Sequence, residues 1–175
     1  MRDSDVLDNN PHVSLSALEA MHSQVYGWAL SRCGFDHTAA EDLMQQAYVE
    51  LLSGDARFNN KSSLRTFVFA VVQNLARNRF RRLATRLRLL RQHAELSIDE
   101  TVDAPVVEQN EGVWSAVRAL PARQRDIIEL VFGRELTIED AAQVMGVTTG
   151  TGRVHYDRAK KALRAKLEES LLEGL

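Results

Sequence analysis

Residues 137–163 read TIEDAAQVMGVTTGTGRVHYDRAKKAL, and the order of cap, small residues and glycine in them decides the fold. Thr137 with Asp140 marks a helix start, because a threonine oxygen takes one of the amides that a first turn leaves unpaired. The segment Thr137–Met145 stops at Gly146-Val147, and a second helix opens at Thr148 and runs to about Leu172. Two helices joined by so short a turn make a helix-turn-helix. Ala141 and Ala142 supply the small side chains that let such helices cross closely. Upstream, Leu120-Pro121 puts proline at a first-turn position. Ile127, Ile128, Val131 and Phe132 build the next stripe, Gly133 closes it, and a short helix over 113–119 comes before.

The N-terminal half follows the same grammar. Ser16 with Glu19 reads as a capping box, followed by Leu18, Met21, Val25 and Ala29 at helical spacing up to Gly34. Thr38 with Glu41 reads as a second box, with Leu43, Ala47 and Leu51 as the stripe and Gly54 as the stop. A polar loop, GDARFNNKSS, covers 54–63. From Ser63 a helix is predicted to about His93, spanning roughly 40–45 Å. Its stripe Ala76, Phe80, Leu83, Leu87, Leu90 keeps a regular four-three spacing. Residues 1–13 are polar, without period, and read as a frayed tail.

Composition agrees with helices. The 175 residues are 45% hydrophobic and 26% charged but only 6% aromatic, with 9 Gly and 3 Pro, so strand formers and loop formers are both scarce. No apolar run approaches membrane length and no basic-then-apolar leader opens the chain, which points to a cytoplasmic protein with no membrane insertion. The single Cys33 excludes a disulfide framework. His37 and Glu41 lack a third metal ligand, and no P-loop, GxGxxG or paired-carboxylate motif occurs, so neither catalysis, metal nor cofactor is expected.

The net charge of −2 conceals a sharp segregation. Residues 77–94 hold seven arginines and no acid, 95–112 hold six acids and no base, and 151–166 hold six bases against Asp157 alone. Two basic patches divided by an acidic stretch suit two contacts with a polyanion, joined by a segment that avoids it. Fully extended, the 18 residues of 95–112 would reach roughly 60 Å, more than one DNA turn of about 34 Å.

At TAAEDLMQQAYVELL (38–52), SSLRTFVFAVVQNLARNRFRR (62–82) and LPARQRDIIELVFGRELTIEDAAQVMGVTTGTGRVHYDRAKKAL (120–163), the chain resembles bacterial sigma factors of the extracytoplasmic-function group. The resemblance implies an all-α protein of two small helical domains. A tail (1–13) precedes sigma region 2 (14–94), an acidic flexible linker (95–112) and sigma region 4 with its helix-turn-helix (113–175). It implies that Glu41, Asp42, Leu43 and Gln45 dock on core RNA polymerase; Gln46 stands where the group often has an acid. Arg57, Phe58, Asn59, Asn60 and Lys61 would take up a flipped base of the minus-ten element, a task for a polar pocket with a stacking partner. Asn74 and Asn78, at i,i+4 and poor mid-helix residues, would contact the melted strand, with Arg77, Arg79, Arg81 and Arg82 on phosphates. Phe67 replaces the group's usual tryptophan.

Thr149, Thr151, Arg153, Val154, Asp157 and Arg158 would meet the minus-thirty-five element in the major groove. Gly152 in place of Val, His155 in place of a base, and Asp157 on the DNA-facing side depart from the group and imply an unusual element. The expected partners are core RNA polymerase, promoter DNA and an anti-sigma factor or other regulator. The competing reading, a stand-alone helix-turn-helix regulator, accounts for 120–170 but leaves the Asn74/Asn78 helix, the polar loop and the acidic segment idle.

Overall fold

The computed structural model describes residues 13–93 and 111–173, and every regular element among them is helical. The chain divides into two units, residues 1–105 and 106–175. Of the expected tail only Val13 is described; it is 2% exposed and belongs to the core. Of the expected linker, 95–110 lie outside the described residues, and the next helix already begins at Glu111.

The first unit is built on α4 (Leu64–His93). Ser63 starts it, its hydroxyl oxygen accepting from the Thr66 amide at 3.1 Å and sharing a 2.8 Å hydrogen bond with the buried Thr66 hydroxyl. Helices α1 (Leu15–Ala20), α2 (His22–Arg32) and α3 (His37–Ser53) complete the unit, with α2 and α3 packed on each other and on α4. Trp28 is fully buried, and its indole N–H donates to the Phe69 carbonyl at 3.2 Å, locking α2 to α4. The Arg32 guanidinium lies 4.1 Å from the Trp28 ring centre, and the Tyr48 hydroxyl donates to the Leu18 carbonyl, tying α3 to α1.

Three expectations shift here. The helix expected to run unbroken to Gly34 breaks at Met21 into α1 and α2. Ser14, not Ser16, caps α1 by accepting from the Ala17 amide, and Asp36, not Thr38, caps α3 by accepting from the Ala39 amide at 3.0 Å. Glu41 is therefore free of the capping box. The stripe Phe80–Leu90, whose regular spacing suits either the core or a docking seam, is largely exposed, with Phe80 at 56%. The cause is length: α4 has 30 residues and α3 only 17, so about 20 Å of α4 outruns its packing partner.

The second unit contains α5 (Glu111–Arg118), α6 (Ala122–Ile128), α7 (Ile138–Met145) and α8 (Thr149–Glu173). Pro121 caps α6 rather than occupying its first turn. The chain then widens into one π-helical turn over Glu129–Gly133, which alters the stripe: Ile127, Ile128 and Leu130 are buried while Phe132 is exposed. Phe132 instead stacks on Tyr156 of α8, with ring centres 6.1 Å apart. Among the described residues no helix is long and apolar enough to cross a membrane.

Candidate functional site

On α3, Asp36 and the left-handed Gly54 (φ 80°) fix both ends, and the helix period then sorts its faces. Glu41, Asp42, Gln45 and Gln46 are exposed. Leu43, expected on the contact face, is 1% exposed and holds α3 against the core, so it cannot present itself to a partner. Val49 takes its place: 64% exposed, it lies one and two turns beyond Gln45 and Asp42 on the same face. Its signal in the sequence was only its spacing from those residues.

Between α3 and α4 lies an open cavity of about 410 Å³, lined by Asp42, Gln46 and Glu50 on one wall and by Leu75, Asn78, Arg79 and Arg82 on the other. Arg79 is held there by donating to the Ala39 carbonyl at 3.3 Å, which departs from a free phosphate contact. Burial raises the nearby Cys33 thiol above its ordinary value, an effect that the Arg79 charge only partly offsets. Tyr48 is likewise raised by burial.

The face of α4 turned away from the core carries the exposed Asn74 and Arg81 with the half-buried Arg77 beside them, and the exposed Asn78 stands at its edge, where it also lines the α3 cavity. Arg82 turns toward the α3 cavity. In the loop 54–63, Arg57, Asn59, Asn60 and Lys61 are exposed. Asn59 folds the loop tip by accepting from the Lys61 amide at 3.2 Å, and Asn60 adopts the left-handed backbone (φ 58°) that asparagine tolerates. Phe58 is half-buried against Phe67, ring centres 5.2 Å apart, so it braces the loop rather than offering an open stacking face.

In the second unit Thr137 caps α7, accepting from the Asp140 amide and donating to its carboxylate at 2.8 Å. Gly146 (φ 68°) makes the turn, and Arg123 donates to the Met145 carbonyl at 3.3 Å. Thr148 starts α8 by accepting from the Thr151 amide at 3.2 Å, and the two hydroxyls share a hydrogen bond. Gly152 is a packing residue: a Cβ there would fall 2.8 Å from that of Ala142, so α7 and α8 cross where both side chains are smallest. Arg153, Val154, Asp157, Arg158 and Lys161 are exposed along α8, while Thr149 is half-buried. Lys160 lies 5.3 Å from the Tyr156 ring centre, so the Phe132–Tyr156–Lys160 stack flanks this face. Among the described residues no cluster of metal-ligating side chains forms.

A helix-turn-helix with an exposed polar face on its second helix is the form that DNA-binding domains take. Residues 17–86 match the family model for Sigma-70 region 2, and residues 116–165 match that for Sigma-70, region 4. The ECF RNA polymerase sigma factor SigC of Mycobacterium tuberculosis is 31% identical over 140 residues, covering 79% of this chain and 76% of that protein. SigW of Bacillus subtilis is 22% identical over 142 residues, 74% of this chain and 76% of that one. In fold the chain is similar to the sigma factor RpoE in complex with the anti-sigma factor NepR from Bartonella quintana (TM-score 0.65, 23% identity, 87% of this chain and 95% of that one). It is also similar to CnrH in complex with the cytosolic domain of CnrY (TM-score 0.58, 24% identity, 88% and 87%).

The chain belongs to the ECF sigma factors of the Sigma-70 family. It is a promoter-specificity factor, and the region 2 match, which a stand-alone regulator does not account for, disfavours that reading.

Proposed function

We propose that the work of this sigma factor is divided among three surfaces. The α3 face of Glu41, Asp42, Gln45 and Val49 engages core RNA polymerase: carboxylates suit a partner rich in arginine, and Val49 adds apolar contact at the centre. The loop 54–63 and the Asn74–Asn78–Arg81 face of α4 hold the melted minus-ten strand, amides reaching base edges and arginines the phosphates. The exposed face of α8 reads the minus-thirty-five element. The observation that supports this division most is the sorting of α4, which buries Val68, Phe69, Val72 and Ala76 in the core while Asn74 and Arg81 stand exposed on the far side and Asn78 at its edge. The protein acts in the cytoplasm, by binding and not by catalysis.

A regulatory protein partner fits the same reading, since the structural relatives named above are complexes with such partners. The exposed apolar seam Phe80, Leu83, Leu90 is the surface we assign to it. The division is tested by titrating core polymerase with the full chain and two variants. Asp42→Arg should weaken binding at least about tenfold, whereas Asn74→Ala/Asn78→Ala should bind core normally and lose forked minus-ten DNA. Equal core affinity of wild type and Asp42→Arg would refute the α3 assignment.

A further inference from the structure

Val154 and Asp157 stand one turn apart on α8, both exposed, away from Gly152 and Ala159, which pack inward. Val154 is 45% exposed. An exposed valine alone needs no explanation. An acid does, because Asp157 is the single carboxylate among the seven charges of 151–166, and every base around it attracts DNA. Asp157 makes no ion pair among the described residues, although Arg153 and Lys161 lie one turn away on either side.

The major groove tells a carboxylate where it can sit. Guanine and thymine present acceptor oxygens that repel it, and adenine sets the acceptor N7 beside its amine. Cytosine offers the N4 amine with no neighbouring acceptor on its own edge. An aliphatic side chain has one distinctive partner there, the thymine methyl. Three helical residues rise about 4.5 Å and one base step about 3.4 Å, so side chains one turn apart reach adjacent bases.

Resting on the reading of α8 as the minus-thirty-five helix, we propose that Val154 and Asp157 specify a thymine–cytosine step within that element. Val154 packs on the thymine methyl and Asp157 accepts from the cytosine N4 amine. Arg153 and Arg158, exposed beside them, take guanine edges or phosphates. Asp157 thereby excludes sequences that the surrounding bases would otherwise bind without discrimination.

The test uses full-length protein with core polymerase on a promoter library randomised across the minus-thirty-five region, sequencing the transcripts. A thymine–cytosine step should be enriched about tenfold over other steps. Asp157→Ala should lose the cytosine preference and keep the thymine. On the selected promoter, thymine to deoxyuridine should lower initiation about fourfold with wild type, the worth of one buried methyl, and leave Val154→Ala unaffected. A selected element lacking this step overturns the proposal. So does an Asp157→Ala variant that strengthens every sequence alike, which would make the acid a mere charge offset, or indifference of wild type to deoxyuridine. The same library distinguishes the failures: transcripts that select no sequence at all in the minus-thirty-five region would remove the reading of α8 and the proposal with it, whereas selection of an element there without this step would remove the proposal alone.

Discussion

Replacing Gly152 by alanine sets helix propensity against packing at one atom. In an exposed helix interior the change is worth about 1 kcal/mol in favour of the fold. Here the added Cβ lands 2.8 Å from the Ala142 Cβ and 3.6 Å from the Ile138 carbonyl oxygen. Carbon atoms in contact rest at about 3.5–4.0 Å, so α7 and α8 must part by roughly 1 Å along a seam that includes the buried Ala141, Val144, Met145 and Ala159. Overpacking of this kind costs about 1–3 kcal/mol, leaving a net loss near 1 kcal/mol.

The decisive form is a double-mutant cycle. Ala142→Gly alone should cost about 1 kcal/mol through propensity, but in the Gly152→Ala background it should restore stability by clearing the space. The coupling should be about 1–3 kcal/mol in favour of the pair. Amide hydrogen exchange across α7 and α8 in the full-length protein reads this locally, without resolving the unfolding of the two units. A Gly152→Ala protein more stable than wild type by about 1 kcal/mol, or a strictly additive double variant, would refute the packing argument.

Asp36→Ala should destabilise the first unit by about 1 kcal/mol through loss of its cap, while Thr38→Ala stays within about 0.5 kcal/mol; urea denaturation separates the two. Trp28→Phe should cost about 1–3 kcal/mol, removing indole volume and the N–H bond to the Phe69 carbonyl, measured the same way. The raised Cys33 thiol should alkylate more slowly with iodoacetamide at mildly alkaline pH in the folded protein than in urea. By linkage, the stability this thiol contributes is complete below its ordinary value and declines as pH rises through the shifted one; Cys33→Ala should lessen that alkaline loss.

Sequence patterns carry most of the architecture because punctuation and period coincide. The helix from Ser63 to His93, the Thr137 cap and the Gly146 turn each rest on a residue whose own backbone or oxygen does the work. The misplaced caps arise where two competent residues lie within one turn, Ser14 with Ser16 and Asp36 with Thr38; only the entry path of the chain chooses between them. The break at Met21 has no glycine or proline to announce it, and the π turn at Glu129–Gly133 changes a period that a stripe of apolar residues cannot reveal. Gly152, in the sequence only a departure from the group's Val, shows its use beside Ala142, ten residues away.

Of the candidate surfaces, Asp42, Gln45, Asn74, Asn78 and Arg158 were legible as exposed residues at helical spacing. Leu43, Val49, Phe58 and Arg79 were not, because their surroundings are set by other elements: the core, the open end of α3, Phe67 and the Ala39 carbonyl. How far α4 outruns α3 is also invisible in α4 alone.

Run-off transcription from restriction-digested genomic DNA of the host, with sigma-free bacterial core polymerase and either the full-length protein or Asp42→Arg, tests the central claim most directly. Discrete transcripts with the wild-type chain and none with the variant are the expected result. A chain that shifted the same DNA alone at physiological salt, and never programmed the polymerase to start at defined positions, would contradict it.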